Sequence, residues 1–257
     1  MQGHPAKSKR TLFLLPDGSG SGMAYVMLPE IHPDLCVVCM NSPFLEAPAG
    51  TAFTVESIAA IWVEEIRRQQ LEGPYLLGGW SAGGYYSFEV AKILLRDGQK
   101  VEKLLLIDSP CRLVYEPLPF EVVQFLSTQN MMGGYGPRKP PEWMIRHFDM
   151  TLKAVSAYHP TPMETQYTPA ISIIWASDPV LEESQCAATG LDFNVKVTRM
   201  LLRRPESDGP QGWDTLFPGS RLSIEKSPGN HFTMVFPPHC DALGAILRDS
   251  LRDYISF

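Results

Sequence analysis

No stretch of this chain approaches the roughly 20 apolar residues that a membrane-spanning helix needs, so no span and no membrane partner are expected. Basic charge is scarce too. Lys and Arg total 22 against 28 Asp and Glu, a net charge of −6, and the absence of a long basic run argues against nucleic acid as a partner. Residues 1–10 are polar and lack the apolar core of a signal peptide, which makes the cytoplasm the expected location. They read as a linker or remnant preceding a domain over 11–257. Cysteine is sparse and odd in number, with five residues, which excludes a full disulfide framework. Cys36-x-x-Cys39 has redox or zinc spacing, but it lies in the apolar run 35–40. An extended chain points those two thiols to opposite faces, so buried strand cysteines are expected and no metal site. The chain also lacks internal repeats and low-complexity segments.

What is present suits one large globular domain, or one with an inserted subdomain: 257 residues, 44% hydrophobic and 19% charged. The chain is organised around residues 75–84. Tyr75-Leu76-Leu77 reads as a buried strand, Gly79-Trp80-Ser81-Ala82-Gly83 has the G-x-S-x-G pattern of a nucleophile elbow, and a helical pattern starts at Tyr85. A serine on a tight strand-to-helix turn is strained and needs neighbours without bulk, which Gly79 and Gly83 provide. The backbone N–H of Ala82, at the start of the helix, can bind a developing oxyanion. A glycine-rich turn with a surface serine is the alternative. The strand before and the helix after favour a nucleophile.

Apolar runs at 11–15, 35–40, 103–107, 170–175 and 221–225 predict further strands, and 23–30, 54–71 and 238–254 predict helices. Strands alternating with helices imply an α/β fold with a mostly parallel central sheet, whose strand C-termini collect function. Pro16-Asp17-Gly18-Ser19-Gly20 directly follows the first strand. It lacks a P-loop lysine and dinucleotide spacing, so Gly18 or Ser19 is the expected second oxyanion N–H donor. Residues 111–168 interrupt the alternation with predicted helices at 118–126 and 142–158, joined by a Gly- and Pro-rich segment. We expect a lid over the site, with Gly133-Gly134-Tyr135-Gly136 as its hinge. Apolar material for a chamber comes from Phe120, Val123, Phe125, Leu126, Trp143, Ile145, Phe148 and Leu152. Residues 180–213 read as loop-rich.

A serine hydroxyl needs a base. Of six histidines, His231 alone sits in a loop just after a late strand, in the order Ser…Asp…His of an α/β-hydrolase. Two carboxylates, Asp108 and Asp178, each follow a buried strand and compete to orient it. The residues alone leave that choice open.

The chain resembles the thioesterase domains that release products from polyketide and nonribosomal peptide synthases. The likeness covers most of residues 11–250. It rests on Phe13-Leu14-Leu15-Pro16-Asp17-Gly18-Ser19-Gly20-Ser21, on Gly78-Gly79-Trp80-Ser81-Ala82-Gly83-Gly84, on Leu104-Leu105-Leu106-Ile107-Asp108-Ser109-Pro110 and on Asn230-His231-Phe232-Thr233-Met234. It is most similar to the terminal domain of fungal iterative non-reducing polyketide synthases. The resemblance implies an α/β-hydrolase fold with a helical lid and a catalytic triad of Ser81, Asp108 and His231. Asp178 then falls to a structural or rim position. It further implies a polyketide substrate carried on the 4′-phosphopantetheine of an acyl carrier protein in the same megasynthase, and no cofactor of the domain's own. Arg138 and Lys139 are candidates for meeting that carrier. Release would pass through an acyl-serine, closed by an enol carbon (Claisen-type) or an enol oxygen (pyrone or lactone). A purely hydrolytic thioesterase or esterase is the alternative. A noncatalytic hydrolase-fold binding protein is a third reading, disfavoured by the complete set of triad residues.

Overall fold

The computed structural model describes residues 2–48, 50–129, 131, 140–204 and 208–255. The apolar runs form strands β1 (Arg10–Leu15), β2 (Leu35–Cys39), β3 (Tyr75–Trp80), β4 (Val101–Ile107), β5 (Ala170–Ala176) and β6 (Leu222–Ser227). They make one parallel sheet in the order β2-β1-β3-β4-β5-β6. The helices are α1 (Val55–Gln69), α2 (Ala82–Arg96), α3 (Phe120–Thr128), α4 (Glu142–Ala157), α5 (Glu183–Cys186), α6 (Lys196–Leu202), α7 (Trp213–Leu216) and α8 (Cys240–Ile255).

Alternation along the strands builds a core on each face. Phe13 and Leu15 pack with Ile58, Trp62 and Ile66 of α1 and with Phe88 and Leu94 of α2. Leu12 and Leu14 face the other way, toward Leu243, Leu247 and Leu251 of α8. Cys36 joins the first cluster and Cys39 packs against the second, so the two thiols lie on opposite faces and both are free. Thr54 caps α1 in a reciprocal box with Ser57.

The chain leaves β1 toward β2 and returns on the other side to β3. Their C-terminal ends therefore form the topological switch point, the usual crevice of such sheets. Tyr25 fastens that point: its hydroxyl donates to the Leu15 carbonyl (2.6 Å) and accepts from the Trp80 N–H (2.8 Å).

Two sequence expectations change, at residues 23–30 and 180–213. Residues 23–30 are not a helix. Only Gly22–Tyr25 form a 3₁₀ turn, because Pro29 disfavours helical backbone at Leu28 and the segment has too few residues before it to propagate. The loop-rich stretch 180–213 holds the short helices α5, α6 and the start of α7. The segment before β1, expected as linker or remnant, lies against the domain. Gln2 bridges to Val37, its side chain donates to the Leu28 and Pro29 carbonyls, and Lys9 pairs with Asp34.

Candidate active site

The elbow leaves no room for a side chain at Gly79 or Gly83, on either side of Ser81. Ser81 has φ 57° and ψ −121°, a region costly for a residue with a Cβ, of order 1–3 kcal/mol. A Cβ on Gly79 would sit 2.2 Å from the backbone of Gly83, and one on Gly83 would sit 2.6 Å from the Leu15 carbonyl oxygen. Glycine at 79 lets β3 and α2 meet this closely, and glycine at 83 lets α2 lie against the end of β1. The Ser81 N–H donates to the Ile107 carbonyl (2.9 Å), which ties the turn to β4.

His231 lies in the loop after β6, with its Nε2 3.1 Å from the Ser81 hydroxyl and its Nδ1 2.7 Å from Asp108 Oδ2. With a carboxylate as acceptor, Nδ1 carries the proton and Nε2 is left to accept from the serine. Trp80 and Phe232 flank the ring. Asp108, not Asp178, therefore meets His231. Asp178 holds the histidine loop from behind: its Oδ2 accepts from the Gly229 N–H (2.9 Å), and its own N–H donates to the Gly229 carbonyl (3.0 Å).

A fourth side chain reaches this line that the sequence did not signal. Arg204, just after α6, grips Asp108 with both terminal guanidinium nitrogens, Nη1 on Oδ2 at 3.0 Å and Nη2 on Oδ1. The Ala176 N–H also donates to Oδ1 (2.9 Å). Asp108 is fully buried, and burial alone would raise its pKa. The Arg204 charge and the His231 hydrogen bond outweigh that and hold the carboxyl well below the usual range. Arg204 is 96 residues from its partner, and its only sequence trace is a basic pair, Arg203-Arg204.

The glycine loop after β1 forms the other wall. Gly18 and Ser19, the expected oxyanion donors, differ. Ser19 is committed to Asp17: its hydroxyl (2.5 Å) and its N–H (3.2 Å) both donate to Asp17 Oδ1, and its oxygen accepts from the Ser21 N–H. The Gly18 N–H has no hydrogen-bond partner among the described residues, and neither has that of Ala82, at the first turn of α2. Asp17 is buried, and desolvation pushes its pKa up to about 6, against the lowering effect of the Ser19 hydrogen bonds and of His231.

The insertion between β4 and β5 supplies α3 and α4. Helix α4 is fastened to the glycine loop. Thr151 Oγ1 (3.1 Å) and His147 Nδ1 (3.0 Å) both donate to the Gly18 carbonyl, and the Phe148 ring lies where a Cβ on Gly18 would be. His147 is fully buried, which lowers its pKa and suits a neutral donor. Of the expected chamber residues only Phe148 lines the main cavity, joined by Met131 and Met144. Phe120, Val123, Ile145 and Leu152 face a separate small cavity that Phe148 also borders, and Leu126 packs with Leu201 and Leu202. The Gly133–Gly136 hinge and the Arg138–Lys139 pair lie outside the described residues. The main cavity measures about 780 Å³ and opens onto Ser81 and His231.

Sheet order and the strand–turn–helix elbow at Ser81 define an α/β-hydrolase fold. No helix among the described residues is long and apolar enough to cross a membrane, and they contain no cluster of metal-ligating side chains. The thioesterase-domain family model matches residues 10–117. The chain is 40% identical over 248 residues, 96% of its length, to the non-reducing polyketide synthase terA of Aspergillus terreus. It is 35% identical over 93% of its length to the norsolorinic acid synthase stcA of Emericella nidulans. It spans 12% and 11% of those curated relatives. Among solved structures, the RedJ thioesterase of the prodiginine pathway in Streptomyces coelicolor superposes with a TM-score of 0.69 at 21% identity, covering 97% of this chain and 93% of that one. The SrfTE thioesterase domain of surfactin cyclisation gives 0.62 at 21% identity, covering 96% and 94%. These two likenesses concern the fold. The chain belongs to the thioesterase-domain family, and its relatives at this level of identity are fungal non-reducing polyketide synthases. Family membership implies a serine-hydrolase type of enzyme.

Proposed function

We propose that this domain releases a polyketide from the 4′-phosphopantetheine arm of an acyl carrier protein, through an acyl-serine at Ser81. The carrier domain is expected in the same polypeptide, as part of a synthase like the relatives. The observation that carries the reading is the unbroken line Ser81–His231–Asp108, at 3.1 and 2.7 Å, opening into a cavity of about 780 Å³ with largely apolar walls.

His231 Nε2 takes the proton of Ser81 as its oxygen attacks the thioester carbonyl. The negative charge that develops on the carbonyl oxygen is met by the N–H groups of Ala82 and Gly18, neither of which has a partner among the described residues. The imidazolium gives its proton to the departing thiolate. Asp108 holds the productive tautomer, and Arg204 keeps Asp108 ionised and fixed.

An internal nucleophile of the chain then resolves the acyl-serine. Well-oriented intramolecular groups reach effective molarities of about 10⁵–10⁸ M, so a chamber that folds the chain favours ring closure over water. Apolar walls from Met23, Met27, Met144, Phe148 and Phe236 favour a bulky folded chain. Closure by carbon or oxygen gives a cyclic product, and entry of water gives the free acid.

The test is intact-protein mass spectrometry with an acyl N-acetylcysteamine thioester, coupled to product analysis. Wild-type protein should gain the acyl mass, and Ser81→Ala should gain none and release no product above background. Release by Ser81→Ala at near wild-type rate would refute the acyl-serine route.

A further inference from the structure

Among the described residues, the substrate cavity has one charged group that the acyl-transfer line does not use. Asp17 lies in its wall beside Ser81 and His231. It is 7% exposed. Its Oδ1 is saturated by the two Ser19 donors. Its Oδ2 has no hydrogen-bond or ion-pair partner among the described residues, yet it is not one of the sealed, unpaired polar atoms of the interior. Asp17 lines the cavity, and Oδ2 is the carboxylate oxygen that the Ser19 donors leave available to it.

Such a group is expensive to keep. A carboxylate removed from water without a cation or a full set of donors destabilises the fold. Local structure does not require the charge, because an asparagine would accept the same two Ser19 hydrogen bonds in the same turn. The neighbouring polar groups are committed elsewhere. Ser21 Oγ accepts from the Met23 N–H and Thr233 Oγ1 from the Asn230 N–H. Asp17 Oδ2 is thus the strong free acceptor in a chamber whose remaining walls are mostly apolar.

We propose that Asp17 orients the substrate: its Oδ2 accepts a hydrogen bond from an enol or phenol hydroxyl of the bound chain and holds the folded chain with its internal nucleophile toward the carbonyl on Ser81. The inference rests on the acyl-serine reading above and adds a substrate class, polyketides that enter enolised or aromatic with a free hydroxyl. A desolvated acceptor built for a hydroxyl discriminates strongly against the analogue that lacks it, because the acceptor is then left unpaired. Charge assistance makes this bond about twice as strong as a neutral one.

The test uses two N-acetylcysteamine thioesters, one of an aryl β-keto acid bearing a phenolic hydroxyl and one of its deoxy analogue. Ser81 loading is followed by intact mass and turnover by product analysis. Wild-type protein should prefer the hydroxylated probe by at least about tenfold in kcat/KM. Asp17→Asn keeps the Ser19 acceptor but replaces the free oxygen with an N–H donor. It should shrink the preference to about twofold or less, and it should lower the ratio of ring to acid from the hydroxylated probe. Equal handling of both probes by the wild type overturns the proposal, and so does an Asn variant that keeps the full preference, since that would leave Asp17 only the turn. Failure of both probes to load Ser81 removes the acyl-serine reading itself, and the proposal with it.

Discussion

Keeping Asp17 ionised inside the fold should have a measurable stability cost, and its dependence on pH identifies the cause. The carboxyl has an ordinary value of 3.8 and is raised to about 6 in the folded protein, with burial as the largest cause. A raised folded value means that the native state binds this proton more tightly than the unfolded state. The favourable contribution of the protonated group is fully present below pH 4. It is lost as pH rises through about 6. The two-unit gap corresponds to about 3 kcal/mol, at about 1.4 kcal/mol per unit. Asp17→Asn cannot ionise and keeps the Ser19 contacts, so it should match wild type near pH 4 and exceed it by about 3 kcal/mol at pH 8. For a chain of this size that is a rise in Tm of about 6–12 °C. Urea unfolding of both proteins at half-unit steps from pH 4 to 8 measures it. Titrating groups that do not interact with Asp17 cancel in the difference, and the coupling to His231, which opposes burial, is already contained in the value of about 6. A stability difference that stays flat across this range would refute the reasoning, because it would place the carboxyl in an environment as polar as water. A rise in stability with a loss of substrate discrimination would match the usual trade between function and stability at a site.

Asp108→Asn should lower turnover by about 10⁴, through the wrong imidazole tautomer, while Asp178→Asn should cost far less because it touches the loop backbone and not the ring; steady-state kinetics on the two variants ranks them. Arg204→Met leaves a fully buried carboxylate without its cation and should destabilise the fold by about 3–5 kcal/mol, read as a shift in the urea midpoint; a change under about 1 kcal/mol would show that the pair is dispensable. Gly79→Ala would place a methyl 2.2 Å from the Gly83 backbone, which no rotamer relieves, and soluble protein with a wild-type melting curve would contradict the elbow geometry.

Features of the chain divide by the distance over which their physics acts. The elbow was legible because its tightest demand is local: a Cβ at Gly79 would meet the backbone of Gly83, four residues on, whereas Gly83 itself is held to glycine by the end of β1. The strands were legible because each face needs alternate apolar side chains, and the opposite burial of Cys36 and Cys39 followed from the same period. The box of Thr54 and Ser57 is likewise written in adjacent residues. Residues 23–30 misled because their apolar content suits a helix, while Pro29 and the fastening of Tyr25 onto the strand ends decide otherwise.

Choosing between Asp108 and Asp178 was beyond composition and spacing, since each follows a buried strand, and only the family resemblance favoured one. Which carboxylate reaches His231, 123 residues from Asp108, depends on which strand end the returning loop crosses. Arg204 on Asp108, α4 on the Gly18 carbonyl and the commitment of Ser19 to Asp17 are of the same kind. Short-range sterics and periodic burial act between neighbours, so the nucleophile's turn, the alternation of strands and helices and the class of chemistry they imply can be read from the amino acids in order. Which distant side chains share the switch point depends on strand order and on the loops that strand order brings together, and so emerges only in the folded chain.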